Sequence, residues 1–435
     1  ILTDHDFLSL FVSQAISNIG DHFHLLAWPW LVLTITADPL QLGLVMAVAG
    51  VPRAIVMLFG GALADRMSPR TIMLWSNLIR MVIAGGLAAV VASGQIQLWM
   101  PYAVAGVFGI VSGLFLPSSE ATLPRLLEPQ RLAAGNSLMM MAAQAAQFAG
   151  PALAGSMIAL LSHGANLGPA AMVGIGGAFA VDAVSFAVAA GTLLLVRPLP
   201  AFGSRSHPMR DIADGLGFVW HDRYIRILVI LLALANLLLT GPLFVGLPTL
   251  AATRFSDGAA AYGLLLSASG LGNIAGMALA GATRPSANVL SWLSVGVFPL
   301  MGVCYAGLGL VSSSTVAAVL MLVAGLGNGF LAITVITLVQ RIAPSHLVGR
   351  TMAVLMLSMY GLGPISQVVA GLVLHLSVSW LFIGSAIGLI LPATIALLNR
   401  SLWQLAPIAE RTAAPEEPTF ASAAAEPGPP GVPSR

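Results

Sequence analysis

Apolar stretches long enough to cross a lipid bilayer recur along nearly all of the 435 residues, and no other feature restricts the folding of this chain so tightly. A membrane helix needs about 20 mostly apolar residues, because its backbone N–H and C=O groups must pair within the segment. Such stretches fall at 7–34, 40–63, 72–93, 98–118, 135–161, 168–196, 226–250, 260–282, 289–310, 315–338, 351–375 and 380–399, so twelve spans are expected. Only 8% of the residues are Asp, Glu, Lys or Arg, against about 25% in a soluble domain. That balance excludes a disordered chain, a secreted disulfide scaffold and an ordinary soluble enzyme. From the first residues, Ile1 through Asp4, no cleavable signal peptide is expected.

Charge placement sets the expected orientation. All 18 basic residues are Arg. With the N-terminus inside, fifteen fall in cytoplasmic segments and only Arg254 falls in an outer loop, while Arg53 and Arg80 lie within spans. Such asymmetry places both termini in the cytoplasm of a multi-pass protein of the cell (inner) membrane. The eight Trp residues sit near expected span ends, as an interfacial belt would.

Several functions are excluded. A formal charge of +2 gives no basic face for nucleic acid. Cys304 is the sole cysteine, so no internal disulfide or CxxC metal site is expected. No phosphate-binding loop, metal motif or nucleophile–base spacing occurs, so no enzyme, metal or cofactor is expected, and energy should come from an ion gradient.

The polar stretch 197–225 divides the spans six and six. The expected units are a six-helix half at 1–196, a cytoplasmic linker at 197–225, a second half at 226–400 and a disordered tail at 401–435, rich in Pro, Ala and Glu. In the linker, Ile212, Leu216 and Val219 recur at helical spacing beside Asp211, Asp214 and His221, which predicts a short amphipathic helix lying on the cytoplasmic face. The halves look like repeats: Gly60 to Ala64 resembles Gly276 to Ala280, and Gly150-Pro151 resembles Gly363-Pro364, at nearly constant offset. Parallel halves with a site between them are a transporter architecture.

Gly61-Ala-Leu-Ala-Asp65-Arg66-Met-Ser-Pro-Arg70 resembles the loop 2–3 motif of the major facilitator superfamily, with Ser68 where the family usually has Gly. Gly150-Pro151-Ala-Leu-Ala-Gly155 resembles the Gly-Pro element of its antiporters in span five. Asn18 to Asp21, Val51-Pro52-Arg53, Pro117 to Pro124, Phe179 to Phe186 and Gly349-Arg350 are similar to its twelve-span drug-efflux branch, which includes macrolide-efflux and enterobactin-exporter proteins. The family's span-four Arg is absent. The resemblance implies an all-α major facilitator fold, two pseudo-symmetric six-helix halves and a cavity lined by spans one, two, four and five. It also implies a cytoplasmic latch of Gly61, Asp65, Arg66, Arg70, Gly349 and Arg350.

The candidate proton-coupling or substrate groups are Asp21, Arg53, Arg80 and Asp182, since a charge deep in a span is costly unless it meets water or a partner. Asp21 is expected to trade a proton for substrate. Asp182 is expected to pair with an Arg, and Arg53 and Arg80 to pair with Asp21 or Asp182. His22 and His24 follow Asp21 too closely for all three to line one cavity. Gly150, Pro151, Gly155, Gly363 and Pro364 are read as hinges or packing points, and Asn236, Asn328 and Gln367 as polar handles of the substrate cavity. The expectation is a monomeric, proton-coupled exporter of an amphipathic small molecule, in contact with membrane lipids. The alternatives are an exporter or flippase of an endogenous molecule such as a siderophore or lysophospholipid, and a membrane receptor or scaffold without transport.

Overall fold

The computed structural model describes residues 2–66, 68–199, 216–283, 287–342 and 348–398; at 58–66, 224, 283, 287–295, 341–342, 348–350, 353 and 396–397 it describes the backbone alone. Among these residues the chain is helical throughout. The first six helices are α1 (His5–Thr36), α2 (Pro39–Arg66), α3 (Pro69–Ala92), α4 (Trp99–Leu126), α5 (Pro129–Leu161) and α6 (Ala171–Leu195). Then follow α7 (Arg223–Gly241), a π-helical turn (Pro242–Gly246), α8 (Leu247–Arg254), α9 (Gly258–Thr283), α10 (Ala287–Leu310) and α11 (Ser314–Ile342). The last are α12 (Val348–Tyr360), α13 (Gly363–Leu374), α14 (Val378–Gly388) and α15 (Ile390–Leu398).

Nine of the described segments are long and apolar enough to cross a membrane. The other three expected positions are filled by α1, α5 and α10. The first two are more polar inside, with Gln14, Asp21 and two His in α1 and Gln144 and Gln147 in α5. Span seven is α7, the π turn and α8 in series. Span eleven, where Gly363 and Pro364 are read as a hinge or packing point, is interrupted at Gly361-Leu362, and span twelve at Leu389. Pro364 explains the first break: a proline restricts the residue before it and supplies no N–H, so a new helix starts there. Pro29, Pro52, Pro117 and Pro151 are accommodated inside continuous helices.

Helix pairing repeats between the halves. In the first, α2 packs on α4, α3 on α6, and α1 on α5 and α6. In the second, α9 packs on α11, α10 on α14, and α7 on α13. Glycine permits the closest pair. A side chain at Gly272 or Gly276 of α9 would run into the Leu322 or Leu326 carbonyl of α11, and one at Gly325 or Gly329 into the Ser269 or Asn273 carbonyl of α9. Between lipid-facing helices, which have little hydrophobic drive to associate, such backbone contact supplies the dispersion that holds them.

The halves meet through α2 with α13 and α5 with α9. Gly43 backs onto the Gln367 carbonyl, Gly371 onto Leu40, Gly155 onto Gly263 and Gly263 onto the Pro151 carbonyl. These residues sit toward the end of the bundle that carries the 37–38, 162–170, 255–257 and 375–377 connections, here called the far end. The opposite, terminus end carries the N-terminus and the connection from α6 to α7.

The Trp belt holds only in part. Trp75, Trp99, Trp220 and Trp380 are exposed, but Trp28 and Trp30 are buried core residues. Trp30 stacks on Tyr262 of α9, with centroids 5.7 Å apart, and so bridges the halves. Trp292 and Trp403 lie outside the residues whose side chains are described.

Candidate functional site

Between the halves lies a cavity of about 220 Å³. Its wall takes His24, Leu25 and Trp28 from α1, Met46, Ala49, Gly50 and Arg53 from α2, and Phe108 and Ser112 from α4; across from them stand Phe244 and Gln367. A second space of about 190 Å³ in the other half is lined by Asn236, Thr240, Phe244, Ser269, Tyr305 and Asn328, among others. Phe244 borders both. A larger groove of about 710 Å³ runs between α3 and α6 at the far end, but small and apolar residues line nearly all of it, and it brings no charged group.

Helical spacing explains the first wall. Asp21, Leu25 and Trp28 recur every three or four residues, so they form one stripe on α1. Asp21 is exposed and lies one turn from Leu25, toward the terminus end. Arg53 of α2 is exposed too; its guanidinium lies 5.5 Å from the ring centroid of Tyr360 in α12, a cation–π contact across the halves.

The expected Arg–Asp pairing is not what the side chains do. Asp182 is fully buried on α6 and pairs with His24, Nδ1 to Oδ2 at 3.1 Å. The His24 ring stacks on Trp28 and Phe108, at 4.9 and 4.3 Å. Arg80, also buried, puts its guanidinium over Phe115 and Phe186 and donates to the Ser112 hydroxyl at 3.1 Å. Neither Arg53 nor Arg80 pairs with a carboxylate among the described residues. Aromatic faces and a hydroxyl stabilise the Arg80 charge in place of an acid, and Arg80 still interacts at longer range with Asp21 and Asp182. His22 points elsewhere, against Gly150, where any side chain would meet the imidazole.

The other candidates separate. Asn236 and Asn328 line the second space, and Gln367 lines the first. Pro151, Gly155 and Gly150 lie where α5 meets α9 and α1. Pro364 packs against Gly50 of α2, and Gly363 lies by Thr240. Arg70 donates to the Leu193 and Leu194 carbonyls, each at 3.0 Å, and so ties α3 to the C-terminal end of α6 in the same half. Gly61, Asp65, Arg66, Gly349 and Arg350 lie outside the residues whose side chains are described. So do Asp211, Ile212, Asp214 and the tail; of the linker helix, 216–221 is helical, with Leu216 exposed and Val219 buried.

Phe244, Tyr360, Phe108 and the His24 partnership were not anticipated. Gly241-Pro242 in an otherwise apolar run is the sequence signal for Phe244: proline breaks the regular bonding there and the helix widens into a π turn, a distortion common at functional sites.

At the far end the halves are joined by polar contacts. Asp38 meets His375 Nε2 at 2.8 Å, and the Asn166 amide donates to the Phe255 carbonyl at 3.2 Å. Burial works against ionisation of Asp38, but the His375 and Leu40 N–H bonds outweigh it and hold the carboxyl below its ordinary value.

A helical bundle of two similarly wired halves, with charged and aromatic residues converging between them, defines a membrane-transporter class. The Major Facilitator Superfamily profile matches residues 10–368, and the chain belongs to that family. It is 29% identical over 224 residues to the uncharacterized MFS-type transporter YfiS of Bacillus subtilis, a match spanning 49% of this chain and 48% of that protein, about half of each. It is 25% identical over 403 residues to the uncharacterized MFS-type transporter y4rN of Sinorhizobium fredii, covering 89% of this chain and 93% of that protein. Its fold is similar to the nucleoside transporter NupG, with a TM-score of 0.69 at 13% identity over 93% of this chain and 99% of that one. It is also similar to a bacterial homologue of the iron transporter ferroportin, with a TM-score of 0.67 at 17% identity over 90% and 97%.

Proposed function

We propose that this membrane transporter exports amphipathic, preferentially cationic small molecules from the cell in exchange for protons. The observation that carries the reading is Asp21, an exposed carboxylate in the middle of a membrane helix, one turn from an aromatic-lined cavity between the halves. A carboxylate held there binds either a proton or an organic cation, and that competition couples the two movements. Trp28 and Phe108 offer faces for flat or cationic groups, and Met46 adapts to varied shapes. The Arg bias supports a cytoplasmic terminus end. With the far end closed by α2–α13 and α5–α9, the site then opens inward.

Arg53 favours a second reading. It faces the cavity without a carboxylate partner among the described residues, as an endogenous amphipathic anion would require. Efflux of ethidium and of an anionic dye from cells lacking their own pumps separates the two. Ethidium efflux that a protonophore and Asp21→Asn each abolish supports the first. Efflux of the anionic dye alone, lost in Arg53→Gln, replaces it with the second.

A further inference from the structure

The His24–Asp182 pair has two sides. His24 lines the cavity and keeps 17% of its side-chain exposure, whereas Asp182 keeps 0%. Nδ1 of His24 is committed to Asp182 Oδ2, which leaves Nε2 as the nitrogen on offer to the cavity. Asp182 Oδ1 has no protein partner and lies inside the first half.

Beyond Oδ1 the interior of that half stays polar. Contacts between Ser13 and Ala189, Gly20 and Ser185, and His24 and Asp182 show α1 and α6 running antiparallel. In that register Ser17 lies level with Phe186, toward the terminus end. Arg80 of α3 packs its guanidinium over Phe186, and Asn77 sits about one turn nearer the same end. Ser17, Asn77 and Arg80 are all buried, and the Ser17 hydroxyl, both Asn77 amide atoms and Arg80 Nε have no protein partner. Together with Asp182 Oδ1, these are unsatisfied polar atoms at successive levels of the helices α1 and α3 that pack on α6. One buried orphan costs about 1–3 kcal/mol, and internal water is one way such groups are satisfied. Nearer still to the terminus end, Gln14 donates to Ser119.

We propose that the proton leaves the substrate cavity through His24 and Asp182 and crosses the core of the first half along water bridged by Ser17, Asn77 and Arg80, so that proton and substrate take separate routes to the terminus end. This rests on the proton-coupled reading above. His24 Nε2 takes a proton from the cavity as Nδ1 passes its own to Asp182 Oδ2. Asp182 then gives a proton from its carboxyl to the water row, and His24 returns to its starting tautomer by a ring flip or by proton exchange with cavity water. No bond other than O–H or N–H changes and no charge is left behind. The charged groups acting on Asp182 are His24 and Asp21 from α1 and Arg80 from α3. From α5, which also packs on α6, the one charge is Arg131, in its first turn at the terminus end. Arg80 is buried among these polar groups, where its charge would keep inorganic cations out while protons hop past it along water.

The test uses the full chain in proteoliposomes. Ethidium counterflow, which needs no net proton movement, is read beside ethidium-driven proton flux on a trapped pH dye. Asp182→Asn and the plug variant Ser17→Val/Asn77→Leu are expected to keep counterflow and to lose proton flux down to the level of protein-free vesicles. Proton flux kept at the wild-type level by either variant overturns the proposal. Wild-type counterflow with no proton flux defeats instead the antiport reading on which it rests. A second measurement needs no transport. In an Asp21→Asn/Glu120→Gln background, the infrared band of the buried Asp182 carboxyl is followed after transfer to heavy water. Rapid deuteration, slowed by the plug, is expected, while a carboxyl as slow to exchange without the plug as with it overturns the route.

Discussion

At Asp21 the environment and the chemistry agree. The carboxylate is exposed, so its replacement disturbs little packing. Asp21→Asn is expected to change stability by no more than about 0.5 kcal/mol in a thermal-shift assay while abolishing coupled efflux; a large loss of stability would assign it a structural role. Arg80 is the opposite case. Buried against two aromatic rings and one hydroxyl, it holds α3, α4 and α6 together. Arg80→Ala removes packing as well as charge and is expected to cost about 2–4 kcal/mol, read as a lowered midpoint of thermal unfolding; an unchanged midpoint would contradict this. Asp21, Arg53, Arg80 and Asp182 were legible because a charge inside an apolar run stands out. Their partners were not. Whether an Arg meets a carboxylate or a phenyl ring depends on helix rotation, and one sequence with no register between helices does not fix that.

At the scale of elements, glycine position decides what a substitution does. Gly272 lies where α9 touches α11 backbone to backbone within one half, whereas a side chain at Gly86 of α3 meets nothing within 4 Å. Gly272→Val is expected to destabilise by about 1–3 kcal/mol through overpacking, and Gly86→Val to leave the unfolding midpoint nearly unchanged; equal effects would refute the close approach. The apolar runs themselves made most spans legible, because bilayer thickness fixes their length. The break in span twelve was not legible, whereas the first lies beside Gly363-Pro364, read from the sequence as a hinge or packing point. An apolar run has the same composition whether or not its helix is continuous.

At the scale of the whole molecule, the two halves are held shut at one end by small residues and a few polar links. A side chain at Gly263 would strike the Pro151 carbonyl across that seam. Gly263→Leu is therefore expected to favour opening of the far end, seen as faster maleimide labelling of a cysteine placed at Trp30, without the loss of stability expected of Gly272→Val. Slower labelling would contradict the seam. Asp38→Asn removes the charge of the Asp38–His375 link. Being partly exposed, the pair is worth about 0–1 kcal/mol, so the expected increase in labelling is no more than about fivefold. The carboxyl of Asp38 is held below its ordinary value. Its stabilising contribution is therefore complete above that ordinary value and fades as pH falls through the lower one, which leaves it intact at neutral pH.

The account stands or falls on whether substrate and proton exchange at Asp21. The most direct measurement loads proteoliposomes with a pH-sensitive dye and imposes an ethidium gradient with no pH gradient. Wild-type protein is expected to drive protons against the direction of ethidium flow, and Asp21→Asn to drive none while still assembled in the vesicles. Equal proton movement by the two proteins would contradict the central claim.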